Sequence, residues 1–193
     1  MELSVLGLAC SPRRHGNTTI LLHHAMEQVR ALGHRGETVY VTELDFSQCQ
    51  GCNACSVKGI CKFKDDIQVL SERLVAADRI ILAAPIFFMG VNAQTKAMVD
   101  RMQPFWAKKY LLKQPIIEDP SRLPRRGLFF SAAGTNREEV FDCAKKTVQT
   151  FFNMFDIKYA GDCLYKGVDD AGEIRRHATA FAEVKQAVTE LLT

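Results

Sequence analysis

Residues 3–9 form a short, nearly continuous apolar run, the pattern of a strand covered on both faces. After Asn17, apolar positions recur at Ile20, Leu21, Leu22, Ala25, Met26, Val29 and Leu32, which predicts a helix ending at the glycines Gly33 and Gly36. Residues 38–44 read as a second strand. Asp65 or Asp66 can then cap a helix whose apolar face is Ile67, Leu70, Leu74 and Val75. Residues 79–84 predict a third strand, stopped by Pro85. A helix carrying Ala93, Ala97 and Val99 runs toward Trp106, and a loop with Pro104, Pro115, Pro120 and Pro124 follows. A fourth strand is expected over 127–132 and a helical stripe at Val140, Phe141, Ala144, Val148, Phe151 and Phe152. A fifth strand over 157–164 precedes a closing helix with Ala178, Phe181, Ala182, Lys185, Val188 and Leu192.

Strands that alternate with helices in this way imply an α/β chain with a parallel sheet and helices on both faces. Ligands of such sheets sit beyond the C-terminal strand ends, where the strand order reverses. The loops of interest therefore begin near Cys10, Leu44, Pro85, Ala132 and Leu164.

Composition narrows the functional classes. The 193 residues suit one domain, and 47% hydrophobic with 24% charged residues is ordinary globular usage. A net charge of +3 with scattered basic residues argues against nucleic acid as a partner, and the run RLPRR ending at Arg126 is expected to cover a solvated loop. The most apolar stretch, 80–91, is interrupted by Pro85 and falls short of the roughly 20 residues that span a membrane. No basic segment opens the chain as an export signal would, so a cytoplasmic location is expected. Seven cysteines in a reducing compartment do not suggest disulfides. Cys10, Cys143 and Cys163 are isolated and read as small buried hydrophobes.

The first loop, CSPRRHGNTT, is neither a dinucleotide fingerprint nor a Walker loop. A phosphatase loop needs Cys and Arg six positions apart, and the residue six after Cys10 is Gly16. Ser11, Arg13, Asn17, Thr18 and Thr19 instead crowd the turn into a helix N-terminus, where free N–H groups and the helix dipole favour an anion. The third loop carries Pro85, Ile86, Phe87, Phe88, Met89 and Gly90, an apolar wall suited to a planar heteroaromatic ring. In the fourth, the small residues Ala132, Ala133 and Gly134 allow close backbone approach.

The segment CQGCNACSVKGIC sets Cys49, Cys52, Cys55 and Cys61 at C-x2-C-x2-C-x5-C spacing. Structural zinc sites usually split their ligands into two distant pairs, whereas closely spaced thiols can wrap one compact iron–sulfur cluster. Gly51 and Gly59 supply backbone freedom for a tight wrap. Cluster, zinc or no metal all remain open from the residues alone.

Taken together, SPRRHGNTT, APIFFMG followed by KAMVDR, and the cysteine run between them resemble the NADPH-dependent FMN reductases, and within that group the iron–sulfur flavoproteins. The resemblance covers most of the first 135 residues and is weak beyond. It implies a flavodoxin-like, doubly wound three-layer sandwich with a five-stranded parallel sheet in order 2-1-3-4-5, one domain over 1–193 with a cysteine-rich insert at 46–64. It further implies that Ser11, Arg13, Asn17, Thr18 and Thr19 hold the FMN phosphate. The residues from Pro85 to Gly90 would line the isoalloxazine, with Ala133 and Gly134 closing its far side. Phe87 stands where the family often has tyrosine, and Lys96 and Arg101 match a helix signature associated with subunit contacts.

By the same resemblance the four cysteines would carry a [4Fe–4S] cluster, NAD(P)H or a ferredoxin would be the donor, and a small molecule the acceptor. The chain would act as a homodimer or homotetramer. With FMN carrying the chemistry, no catalytic acid or base is expected. A cluster-free NAD(P)H-dependent FMN, quinone or nitro reductase is the alternative enzyme, and a flavin- or zinc-binding redox sensor the alternative of another class.

Overall fold

The computed structural model describes residues 2–119, 121–122 and 124–193; Pro120 of the proline-containing loop and Leu123 of the basic run lie outside the described residues. Five parallel strands form the central sheet: β1 (Ser4–Ala9), β2 (Arg35–Tyr40), β3 (Arg79–Ala83), β6 (Arg125–Ala133) and β7 (Ile157–Lys166). Their order is β2-β1-β3-β6-β7. Two further strands, β4 (Ile86–Phe87) and β5 (Gly90–Val91), make a separate antiparallel hairpin. With that hairpin set apart, the order is the flavodoxin-like 2-1-3-4-5 expected from the sequence.

Alternation along the central strands sorts the core into two layers. Leu6 and Leu8 of β1, Ile80 and Leu82 of β3 and Phe129 of β6 face one side. There they pack with α3 (Asp66–Ala76), α4 (Ala93–Asp100) and α6 (Asp142–Met154) through Leu70, Leu74, Met98, Val148 and Phe152. Val5, Ala9, Ile81, Ala83 and Phe130 face the other side, against α1 (Asn17–Ala31) and α7 (Ala180–Leu192) through Leu21, Leu22, Met26, Val184 and Val188. Strands buried on both faces read as unbroken apolar runs, as β1 and β3 do.

Several elements depart from the sequence expectation for identifiable reasons. β2 begins at Arg35 and ends at Tyr40, earlier than the expected 38–44, because Ser4 to Ala9 pair with Arg35 to Tyr40 in strict register. As an edge strand it fully buries only Val39, so its apolar signal is weak. The helix expected to run toward Trp106 stops at Asp100; a second short helix, α5 (Gln103–Trp106), restarts with Pro104 in its first turn. In α4 the buried positions are Thr95 and Met98 rather than Ala93. The closing helix starts at Ala180, after Ala178, and buries Ala180, Val184, Val188 and Leu191.

The last two residues of the basic run do not lie in a solvated loop. Arg125 and Arg126 open β6, and Arg125 is buried with its guanidinium on the carbonyls of Leu74, Ala77 and Phe155. Capping chain ends that converge under the sheet is what this arginine does there. Cys10 and Cys163 are buried, as expected of small apolar residues, but Cys143 is exposed on the first turn of α6. No helix among the described residues is long and apolar enough to cross a membrane.

Candidate functional site

Two pockets bring together most of the residues singled out from the sequence. The first opens at the C-terminal edge of β1, β3 and β6. It is lined by Ser11, Arg13, Asn17 and Thr18 of the first loop, by Pro85, Ile86 and Phe87 of the third, and by Gly134 of the fourth. Pro12, Gly16, Ala132, Val168 and Asp169 also line it. Thr19, Phe88, Met89, Gly90 and Ala133 stand outside this lining.

The loop from Ser11 to Gly16 is wound tightly onto the start of α1. The Gly16 N–H donates to the Arg13 carbonyl at 2.9 Å, and the Arg13 N–H donates to Ser11 Oγ at 3.1 Å. A Cβ on Gly16 would lie 2.7 Å from Ser11 Oγ and 3.1 Å from the Arg13 oxygen, so the turn closes only around glycine. Gly16 is the N-cap of α1, with no side-chain cap and no acidic residue in the first turn. The leading N–H groups and the dipole of a 15-residue helix therefore face the pocket without an internal anion.

Side chains of this loop divide into those with partners and those without. Arg14 pairs with Glu43 and lies 4.3 Å over the Tyr40 ring, whereas Arg13 is exposed and makes no ion pair among the described residues. Thr19 donates to the Arg13 carbonyl at 3.3 Å. Asn17, grouped with the anion-binding residues by sequence, spends its amide on the loop after β7: Nδ2 donates to the Asp170 carbonyl at 3.0 Å, and Oδ1 accepts from the Ile174 N–H at 3.2 Å. Thr18 differs from all of these. Its hydroxyl is buried with no hydrogen-bond partner among the described residues. A buried unpaired hydroxyl is costly unless a ligand supplies the partner, and a phosphate oxygen at a helix N-terminus is such a partner.

The apolar wall is the β4–β5 hairpin, which the sequence marked as a loop. Its two-residue tip is Phe88 and Met89, with φ of 48° and 66°. Paired left-handed residues are what a tight hairpin requires, but Asn-Gly normally fills them. A phenylalanine and a methionine held there store about 1–3 kcal/mol each. Phe87 is half exposed, Phe88 is fully exposed, and Met89 packs against the small cluster of Ala133, Val140 and Phe141. At the far end of the pocket the Asp169 carboxyl presses against Gly134: a Cβ there would meet Asp169 Cγ at 2.7 Å. Val168 and Asp169 escaped sequence reading because the loop after a last strand carries no motif, only the proximity that the Val168 N–H bond to the Ala133 carbonyl imposes.

The second pocket holds all four clustered cysteines, Cys49, Cys52, Cys55 and Cys61, with Phe63, Arg101 and Pro104. Gly51 and Asn53 take left-handed φ of 63° and 56° between them. Cys55 opens a single helical turn, α2 (Cys55–Lys58), that Gly59 ends at φ 65°. Cys49 and Cys52 are exposed, Cys61 is intermediate and Cys55 is buried. Burial, and then the charges of Cys49, Cys61 and Cys52, push the Cys55 thiol above its usual range. Among the described residues no three His, Cys, Asp or Glu side chains converge closely enough for one metal ion.

The two ends of the cysteine segment are pinned to each other. The Asp45 N–H donates to Asp66 Oδ2 at 2.7 Å, and Asp65 caps α3 by accepting from the Ile67 N–H at 3.3 Å. Beneath them Arg101, expected at a subunit surface, is only 1% exposed and forks onto Asp65. Burial alone would raise the Asp65 carboxyl, but the Arg101 hydrogen bonds and charge outweigh it and hold it below the usual carboxylate range. Lys96 is the exposed member of that signature and pairs with Asp100 one turn on.

Residues 3–162 match the family described as NADPH-dependent FMN reductase. An iron-sulfur flavoprotein of Methanocaldococcus jannaschii is 36% identical over 102 residues, 53% of this chain and 53% of that protein. Another, of Archaeoglobus fulgidus, is 33% identical over 103 residues, 53% of this chain and 47% of that protein. The chain thus spans about half the length of the curated relatives it matches. A solved NAD(P)H:quinone oxidoreductase from Methanothermobacter marburgensis superposes on 100% of this chain and 98% of its own with a TM-score of 0.74 at 16% identity, a likeness of fold.

Proposed function

The chain belongs to the NADPH-dependent FMN reductase family, and from that premise we propose that it is an oxidoreductase that holds FMN in the first pocket and takes electrons from NAD(P)H. In this reading 1–193 act as one flavin-binding unit, with the cysteine segment at 46–64 as a second redox centre carrying a [4Fe–4S] cluster. The observation that carries the flavin assignment is the Thr18 hydroxyl, buried without a partner beside the uncapped start of α1. Arg13, Ser11 and the first N–H groups of α1 complete a cradle for a phosphate dianion.

When bound, FMN supplies hydride acceptance at its ring, and the residues around it supply position. Pro85, Ile86 and Phe87 offer an apolar face to the ring, Ala132 and Gly134 leave room at its far side, and Asp169 is an acceptor suited to ribityl hydroxyls. Phe87 and Phe88 give the open side an apolar rim on which a nicotinamide can stack. Asn17 supports the cradle indirectly, by fastening it to the loop after β7.

The cluster assignment is supported by four thiols lining one pocket with a buried guanidinium, and by the similarity to iron-sulfur flavoproteins over about half of their length. Cys49, Cys52, Cys55 and Cys61 would be its ligands. A ferredoxin-type donor and a small-molecule acceptor fit a centre with two exposed cysteines. Val57, Ile60, Trp106, Tyr110 and Leu111 are apolar and exposed on the cysteine segment and the helical turns packed against it, which supports assembly of two or four copies.

Anaerobic purification with flavin, iron and acid-labile sulfide analysis, followed by NADH or NADPH addition, tests this reading. Bound FMN that bleaches with either nucleotide, together with iron and sulfide, is the expected result. Flavin bleaching without iron would leave a cluster-free FMN, quinone or nitro reductase, and flavin binding without turnover a redox sensor. Protein that binds no flavin overturns the assignment.

A further inference from the structure

The cysteine pocket is lined by a buried cation, Arg101, that has one donor more than its protein partners use. Arg101 is 1% exposed, and its guanidinium meets Asp65 at 2.7 and 2.9 Å and the Ser47 carbonyl at 2.5 Å. Nη2 also reaches Cys61 Sγ at 3.6 Å, and the guanidinium sits 5.3 Å over the Phe63 ring. Nε has no partner among the described residues although it is buried. An arginine serving only to close the segment would spend all its donors on protein acceptors, as Arg125 does on carbonyls. Here one donor is left over, on a residue lining the pocket that holds the four thiols.

A four-iron cluster ligated by four thiolates is a net anion, and reduction adds one more negative charge. Hydrogen bonds to sulfur and nearby charge are the levers by which a protein sets such a potential. We propose that Arg101 is a positioning residue for the cysteine centre: its Nη2–H on Cys61 and its unpartnered Nε–H favour the more negative, reduced state, while its fork on Asp65 and its bond to Ser47 hold the two ends of the segment closed. Asp65 acts in the opposite sense, as the negative charge that tempers the guanidinium. Arg101 follows α4, whose start is fixed at the flavin-side pocket by Asn92, so one helix carries both ends of this arrangement. The inference rests on the cluster reading above.

The test is anaerobic reconstitution with ferrous iron and sulfide of wild type, R101Q, R101K and D65N. Each is assayed for iron and sulfide, and its midpoint potential is read by a redox titration followed by electron paramagnetic resonance. The potential should fall in R101Q, stay near wild type in R101K, and rise in D65N, where asparagine still caps α3. Opposite signs separate electrostatics from damage, since a purely structural role moves R101Q and D65N the same way. If R101Q sheds its cluster, the upward shift in D65N still reads the same charge effect. Unmoved potentials in D65N and R101Q, shifts of one sign in both, or a fall in R101K as large as in R101Q overturn the inference while leaving the cluster reading intact. Wild type that takes up no iron and sulfide defeats that reading, and the inference with it.

Discussion

The side-chain amide of Asn92 donates to the carbonyl oxygen of Cys10 at 2.8 Å, so the end of β1 and the start of α4 are joined where the first pocket opens. The same buried amide accepts from Thr95 Oγ1 at 2.5 Å. Asn92→Ala would strand a buried carbonyl and a buried hydroxyl, a loss of about 2–3 kcal/mol in urea unfolding. Because the phosphate loop and the flavin wall would then move independently, FMN binding should also weaken by roughly tenfold, the equivalent of about 1.4 kcal/mol.

Thr18 gives a prediction of opposite signs. Thr18→Val replaces a buried, unpaired hydroxyl by a methyl of the same shape. The flavin-free protein should be unchanged or more stable by up to about 1 kcal/mol, because a desolvated polar group is removed. FMN affinity should fall, by about tenfold or more, because a bond to a phosphate oxygen is lost. Thermal melts without and with FMN measure both; a hydroxyl with only a local structural role would lower stability in each.

The hairpin tip stores strain that glycine can release. Met89→Gly places the residue that tolerates φ of 66° where methionine now sits, and should stabilise by about 1 kcal/mol, or about 2–4 °C in melting temperature. If the strained tip serves to present Phe88 to a nicotinamide, NAD(P)H oxidation should slow in the same variant. Stopped-flow flavin reduction separates that loss from any change in FMN binding.

Asp78 ties the start of β1 to the chain entering β3. It accepts from the Ser4 N–H and Oγ, both at 2.8 Å, and pairs with Arg122 at 3.1 Å. Burial alone would raise its carboxyl, but the bonds from Ser4 and then Arg122 outweigh that and hold it below the usual carboxylate range. A depressed folded value means the stabilisation is complete above the unfolded value and disappears as pH falls through the folded one. Asp78→Asn should therefore be less stable than wild type by about 1–2 kcal/mol near neutrality, with the gap closing only in strong acid. Denaturant titrations across that range check the sign.

What could be read before the fold was known follows from how each element is buried. β1 and β3 are covered on both faces and declare themselves as apolar runs; β2, an edge strand burying only Val39, hides its limits. Ser11, Arg13, Thr18 and Phe87 could be found because a helix start and an apolar loop leave local marks. Val168 and Asp169 could not, since they reach the pocket through a tertiary contact between the loops after β6 and β7. Arg101 was misread for a related reason. The shared helix signature pointed it to subunit contacts, and its burial shows only once Asp65, 36 positions away, is seen to receive it.

The central claim is that the first pocket is a phosphate-anchored flavin site. Isothermal titration of the flavin-free protein with FMN and, separately, with riboflavin tests it most directly, using Arg13→Ala beside the wild type. Wild type should bind FMN one to one and riboflavin at least about 100-fold more weakly, and Arg13→Ala should narrow that gap by roughly tenfold or more, as loss of a charged hydrogen bond implies. Equal affinity for the two ligands, or no binding of FMN, would contradict the account.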